Sequence, residues 1–404
     1  MISVPSAQLN RRESGIEWPL WAAVLGLMAI GAAFIFSTTG TTEMARGVGW
    51  HSWTASRQVV AYILGLGVVA AFSFVDYARI ARWSLVAYWL AMALLVGVYI
   101  FGTSRHGARR WLDLGPIQFQ PSELAKLTFL FALASFLSRP AAELRSPALF
   151  AKGLALALFP FALILKQPDL GSALVFLPTT LVMMLVAGVP RRFLVKLVGG
   201  AALLVSLIVV DILVAPPGWR IIQLQEYQRH RLLVYFDASF APRDSTPEQR
   251  LRGAQLKRQM SWNVEQAMIS VGSGGLTGKG WGQGTQHKLG YLPRLGAHND
   301  FIFSVIAEEK GFLGSVVVLG LYATILFTGI KIAGEARDRL GLLLASGVVT
   351  LLFTHVFVNI GMNIKLMPVT GIPLPLLSAG GTSVICSLIA IGILQNVHLY
   401  RRRY

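Results

Sequence analysis

Apolar runs separated by short charged clusters repeat along the whole chain, and few polar positions fall inside the runs. A helix needs about 20 apolar residues to cross roughly 30 Å of hydrocarbon. About ten runs approach or exceed that length, at residues 18–36, 59–75, 85–101, 119–137, 154–165, 173–187, 197–215, 301–330, 340–362 and 383–397. The fifth and sixth are short. The pattern predicts an all-α polytopic membrane protein with about ten transmembrane helices and both termini on one side. Composition requires the same class, because a 404-residue chain that is 54% hydrophobic and only 14% charged cannot hide its apolar residues in one soluble core. Arg11 and Arg12 ahead of the first run resemble a signal peptide, but the length of that run favours a retained anchor.

The short loops set the orientation, since Lys and Arg stay cytoplasmic. Arg79 and Arg82, Arg139 and Arg145, Arg191 and Arg192, Lys331 with Arg337 and Arg339, and Arg401 to Arg403 fall on the same side as Arg11 and Arg12. That side is expected to be the cytoplasm. The layout is a cytoplasmic tail at 1–17, a membrane domain at 18–397 with a long extracytoplasmic loop at 216–299, and a basic tail at 398–404. Retention signals and anionic headgroups explain the cytoplasmic arginines behind the net charge of +17. They do not explain Arg105, Arg109 and Arg110 in a short outward loop, or the cations of the long one. Nucleic acid is excluded as a partner because no soluble basic domain exists to hold it. The only cysteine, Cys386, lies in the last span, so no disulfide framework is expected outside.

Within the outer loop, residues 220–240 place apolar residues at helical spacing among basic ones, as in a helix lying in the interface. Thr246-Pro-Glu-Gln249 supplies an N-cap, a proline at the first helical position and a capping-box glutamine, so a second helix is expected from Pro247 to about Met268. The run from Gly272 to Thr285 then breaks regular structure. It fails the P-loop spacing, because Gly280 follows Lys279. Two readings stay open: exposed amides beside Lys279 and Lys288 suited to phosphate or to a moving lid, or a plain surface loop.

Several charges lie in or beside apolar runs. Glu123 and Lys126 are three apart on one face of the fourth run and are expected to pair facing the protein interior. The plainer role is a buried ion pair that fixes packing; support of a polar cavity is the other. Asp169, after Pro168 in a tight outward turn, is expected to cap the next helix. Glu308 and Glu309 precede Gly311 in an overlong run that is expected to dive only near that glycine, with both carboxylates at a cavity rim. The stretch 367–382 holds three prolines and several glycines yet is nearly uncharged, and reads as a re-entrant lining. The seven histidines are scattered without metal-site spacing, and His298 is expected in solvent.

Asp300 stands out. It closes the basic, glycine-rich loop where Tyr291-Leu-Pro-Arg-Leu-Gly-Ala-His-Asn-Asp-Phe-Ile-Phe303 enters a very apolar helix. Cations and mobile amides on one side and low dielectric on the other suit a base held against a phosphorylated lipid. The plain alternative is that Asp300, or Asn299, caps the helix that follows.

These residues, in this order, resemble the SEDS family of bacterial cell-wall membrane proteins, which includes RodA and FtsW. The matching stretches are Gly107-Ala-Arg-Arg-Trp-Leu, Phe119-Gln-Pro-Ser-Glu-Leu-Ala-Lys126, Gln167-Pro-Asp-Leu-Gly-Ser172, Tyr227-Gln-Arg-His-Arg231, Gly272-Ser-Gly-Gly275, Gly278-Lys-Gly280, Gly284-Thr-Gln286, Asp300-Phe-Ile-Phe303 and Pro368-Val-Thr-Gly-Ile-Pro-Leu-Pro375. The last looks more like RodA than FtsW. The resemblance implies ten spans and polymerisation of lipid II into glycan strands during cell elongation, releasing undecaprenyl pyrophosphate, beside a class B penicillin-binding protein and the elongation machinery. It makes Asp300 the essential acid, with Glu123 and Lys126 as the buried polar pair near the cavity, and Gln266 and Glu308 join that support. Arg109, Arg110, Arg220, Lys279 and Lys288 are the candidates to offset charge on the leaving pyrophosphate. No cofactor is required, though a divalent cation, Mg²⁺ or Mn²⁺, bridging pyrophosphate and carboxylate is an open alternative. The chain departs from the usual pattern at Arg294, Asn299, Ala267, Ala379 and Ala238, and no second carboxylate beside Asp300 is carried over. Competing functions are transport of the lipid-linked precursor along Glu123 and Lys126, and a non-catalytic scaffold of a cell-wall synthase.

Overall fold

The computed structural model describes residues 15–45, 47–105, 108–114, 117–140, 142–214, 226–238, 240 and 246–401. Helices come first at α1 (Trp18–Ala45), α2 (Thr54–Ser73), α3 (Tyr77–Ala81) and α4 (Ser84–Phe101). The short loop that follows carries the few strands among the described residues. It is a three-stranded antiparallel meander of β1 (Thr103–Arg105), β2 (Ala108–Leu114) and β3 (Ile117–Phe119), with Thr103 opposite Trp111 and Leu112 opposite Phe119. Then come α5 (Pro121–Leu137), α6 (Pro147–Lys166), α7 (Leu170–Leu174), α8 (Phe176–Val186) and α9 (Arg191–Val214). The long loop contributes α10 (Glu226–Tyr235), α11 (Pro247–Ser273), α12 (Thr285–Lys288) and α13 (Arg294–Ala297), and the chain ends with α14 (Ile302–Gly334), α15 (Arg339–Asn363) and α16 (Gly381–Leu399).

Eight of these helices are long and apolar enough to cross a membrane, and α5 and the α7–α8 pair fill the other two expected positions. The protein is therefore a multi-pass membrane protein of predominantly helical structure. The fifth run is longer than its apolar stretch, because α6 includes Lys152 and ends on Lys166; such stems lie along apolar surface while their ammonium groups reach the interface. The interfacial helix expected over 220–240 is ordered as α10, and residues 220–225 lie outside the described residues. The Thr246 and Gln249 capping box forms as expected, and α11 runs on to Ser273.

The chain divides into two compact units, one built from the described parts of Met1–Pro190, Val316–Val356 and Ile372–Tyr404, the other from those of Arg191–Ser315 and Phe357–Gly371. In the first, α5 is buried on nearly every face and packs against α4, α6, α8 and α16. The α14–α15 turn holds Arg337, which donates to both oxygens of Asp76 at 2.7 Å, while Tyr77 donates to Asp338 and Arg401 pairs with Glu335. Three of the basic clusters assigned to one side are thus gathered at one end of the unit.

Residues 372–380 of the same unit are non-helical and mostly buried, so each polar backbone group needs a partner. Pro373 O faces His355 Nδ1 at 3.3 Å, Leu374 N donates to Ser378 Oγ at 2.8 Å, and Pro375 O and Leu376 O accept from the Tyr322 and Tyr62 hydroxyls. Gln58 spans the end of the segment, donating to Ser378 O and accepting from Gly380 N, each at 3.1 Å. Polar side chains on apolar helices replace the missing helical bonds.

The glycine-rich loop of the second unit is fastened in the same way. Lys279 N and Gly280 N donate to the Glu308 and Glu309 carbonyls at 3.0 Å, while Phe312 N and Leu313 N donate back to Gly275 O and Leu276 O. These bonds are open because α14 leaves helical geometry at Gly311, whose φ is +65°, close to where the sequence predicts the segment to change direction. A Cβ at Gly278 would lie 2.2 Å from Glu309 O, so only glycine lets the two backbones meet. The Glu308 side chain, fully buried, completes the lock. Its Oε1 accepts from Lys279 Nζ at 2.6 Å, from Thr285 N and Oγ1 at 2.8 Å, and from Gln286 N at 3.2 Å. Glu309 Oε2 accepts from Gly282 N at 2.8 Å. The loop is a latched element, and the reading of mobile, unoccupied amides around Lys279 does not hold.

Two predictions follow from this packing. A Cβ at Gly31 would stand 2.7 Å from both Leu376 O and the Tyr62 hydroxyl, whereas one at Gly26 meets only the flexible end of Leu321 at 3.3 Å. Gly31→Ala should therefore cost about 1–3 kcal/mol, seen as a lower melting temperature in detergent, with Gly26→Ala close to wild type. Equal melting temperatures for the two variants would contradict the packing. Glu308→Ala should speed hydrogen exchange at the Thr285 and Gln286 amides at least about tenfold, as expected when a buried charged acceptor worth roughly 3 kcal/mol or more is lost. Unchanged exchange there would show that the carboxylates do not hold the loop.

Candidate active site

Asp300 belongs to the second unit and is half-buried between the last turn of the long loop and α14. Leu292, Ala297 and His298 before it and Phe301, Ile302 and Phe303 after it are buried, so the carboxylate leaves an apolar wall. His298 is thereby corrected from a solvated loop residue to a buried one. Helix α14 begins at Ile302, and Val305 N donates to Phe301 O, which puts Phe301 in the cap position and Asp300 one residue ahead of it. The capping alternative for Asp300 therefore lacks the usual geometry.

Two groups of contacts define where Asp300 points. Its carbonyl oxygen accepts from Asn359 Nδ2 and Asn363 Nδ2 of α15, each at 3.1 Å. Its carboxylate faces Gly371, where a Cβ would stand 3.7 Å from Oδ2 and where φ is +76°. The preceding carbonyl, Thr370 O, accepts from Arg231 Nη1 of α10 at 3.4 Å, and the Tyr235 hydroxyl donates to Leu366 O at 3.1 Å. Helix α10 thus carries a guanidinium to the segment that flanks the acid. Arg231 sits in the Tyr227-Gln-Arg-His-Arg231 motif, yet a site role for it escaped the sequence reading. A basic residue on a helix in an interfacial stretch looks like any other headgroup contact.

The remaining candidates separate by how they are engaged. Lys279 is committed to Glu308, as described, and Glu308 supports the loop rather than a cavity rim. Arg110, in the first unit, donates through Nε to Gln167 O at 3.0 Å and through Nη2 to Pro168 O, with Asp169 at 3.9 Å. Asp169 accepts from Ser172 N at 3.1 Å and caps α7 as expected. Arg110 is therefore a brace of the 167–169 turn and not an unengaged anion ligand. Lys288 is exposed. Gln266 lies on the buried face of α11. Arg220 and the side chain of Arg109 lie outside the described residues.

Glu123 and Lys126 pair at 2.7 Å in the first unit, both 3% exposed, and Lys126 Nζ lies 3.1 Å from His355 Nε2. The cavity beside them, lined in part by Leu351, Pro375 and Cys386, measures about 10 Å³. That is room for about one water. The cluster is a buried polar core with little free volume beside it. Among the described residues, no three His, Cys, Asp or Glu side chains gather as a ready-made metal cage.

Comparisons with known proteins bear on the whole chain. The peptidoglycan glycosyltransferase MrdB of Escherichia coli (strain K12) is 34% identical over 381 residues, covering 94% of this chain and 92% of that protein. The crystal structure of the Thermus thermophilus rod shape determining protein RodA superposes with a TM-score of 0.64 at 32% identity, covering 96% of this chain and 98% of that one. A structure described under the structural coordination of polymerization and crosslinking by a peptidoglycan synthase complex gives a TM-score of 0.73 at 31% identity, covering 95% and 98%. A match to the FtsW, RodA and SpoVE family of cell cycle proteins spans residues 17–403, and the chain belongs to that family.

Proposed function

We propose that this protein is a peptidoglycan glycosyltransferase that polymerises lipid II at the outer face of the bacterial inner membrane, with Asp300 as general base. The carrying observation is a half-buried carboxylate on an apolar wall, its backbone held and its side chain turned toward a glycine that leaves space in front of it. Chain extension forms a bond between the acceptor sugar hydroxyl and the anomeric carbon of the donor while the bond to undecaprenyl pyrophosphate breaks. The hydroxyl proton passes to Asp300 and the electron pair leaves on the pyrophosphate.

Charge on the leaving group calls for cations that are not already spent on the fold. Exposed Lys288 meets that condition better than Lys279 or Arg110, and Arg109 and Arg220 stay in the proposal on sequence grounds alone. A divalent cation, Mg²⁺ or Mn²⁺, bridging the pyrophosphate and the carboxylate would be held on the protein side by Asp300. It would supply further charge neutralisation there. The arginine distribution supports a cytoplasmic location for both termini. Support for a cross-linking partner, a class B penicillin-binding protein of the elongation machinery, comes from the resemblance to RodA and from the synthase complex of similar structure.

Asp300→Asn preserves size and removes the base. With purified protein, its class B partner and lipid II, glycan formation should fall by at least about 100-fold, with an unchanged melting temperature. A wild-type rate for this variant would end the assignment. Adding a chelator to the wild-type assay separates the ion question: a fall in rate restored by Mg²⁺ or Mn²⁺ supports the ion, and an unchanged rate removes it.

A further inference from the structure

Two buried asparagines one helical turn apart converge on the peptide of Asp300. Asn359 and Asn363, both 0% exposed, donate their side-chain amides to the same Asp300 carbonyl oxygen, each at 3.1 Å. The pair is itself ordered. Asn363 Nδ2 also donates to Asn359 O at 2.8 Å, and the hydroxyl of Ser304, fully buried on the first turn of α14, donates to Asn363 Oδ1 at 2.6 Å. Every one of these residues lies in the second unit.

Buried amides are expensive to leave unpaired, and helix α15 could have met its packing needs with leucine at both positions. Instead, four side-chain hydrogen bonds link Ser304, Asn363 and Asn359 to one carbonyl oxygen, whose residue also bears the carboxylate. Holding that carbonyl from two directions fixes the orientation of the peptide plane and so the direction in which the Asp300 side chain leaves the backbone. A base has to stand within hydrogen-bond reach of the hydroxyl it deprotonates, and an error of about 1 Å can cost on the order of 100-fold in rate.

We infer that Asn359 and Asn363, oriented by Ser304, are positioning residues that aim the Asp300 carboxylate at the acceptor hydroxyl. The inference rests on the reading of Asp300 as base. Neither asparagine meets the substrate; each acts through the Asp300 peptide. Their loss should therefore lower turnover and leave lipid II binding nearly intact.

The test uses the full-length protein with its class B partner and lipid II. Asn359→Ala and Asn363→Ala should each reduce kcat by about 10- to 100-fold while KM for lipid II stays within about threefold. Ser304→Ala, which removes only the steering hydroxyl and tolerates helix formation well, should fold with a modestly lower melting temperature and give a smaller reduction in kcat, so the inference survives if an asparagine variant fails to fold. Placed in the Asp300→Asn background, all three substitutions should change the residual rate less than about twofold. Wild-type kcat for all three variants with Asp300→Asn inactive, or equal losses in both backgrounds, overturns the positioning role alone. A fully active Asp300→Asn protein overturns the base assignment and the positioning role with it.

Discussion

Backbone that leaves the helix inside an apolar protein must find a partner for every N–H and C=O, and this requirement organises the irregular parts of the molecule. It is met in three places by the same device, a polar side chain projected from a neighbouring helix. Gln58, Tyr62, Tyr322 and His355 serve the segment after Gly371 in one unit. Glu308 and Glu309 serve the glycine loop in the other, and Asn359 with Asn363 serve the Asp300 carbonyl. The cost of burying each polar group is offset only when all its partners are present, so these positions tolerate little change.

The spans were legible because hydropathy and length act on many residues at once. Local chemistry was legible where it depends on neighbours in sequence: the Thr246 and Gln249 capping box, the Asp169 cap and the break at Gly311 all follow from residues a few positions apart. The sheet at 103–119 was not, since its short strands carry no alternating pattern long enough to register. Nor were Asn359, Asn363 and Arg231. Two asparagines in an apolar run and one arginine in a basic stretch acquire meaning only through what lies opposite them, and that information is tertiary.

The glycine-rich loop shows why such a run is ambiguous in sequence. Glycines suit a flexible lid and also suit the close approach of two backbones, and the composition is the same for both. What decides is a pair of adjacent carboxylates about thirty residues away that turn the loop amides into acceptor-matched donors. Lys279 reads as a substrate cation until Glu308 is placed 2.6 Å from it.

A basic chain therefore has fewer available cations than its net charge suggests. Arg110 is spent on a turn, Arg337 on Asp76 and Lys279 on a latch, each where a backbone carbonyl or carboxylate needed a strong donor. Structural demand claims charge before substrate does. The carboxylate of Asp300 is the contrasting case: its residue is anchored through the carbonyl oxygen, a group with no chemistry to perform, while its acidic oxygens are turned to a glycine whose missing side chain keeps the space before them clear. Holding the backbone through its carbonyl fixes the direction in which the acidic side chain leaves it.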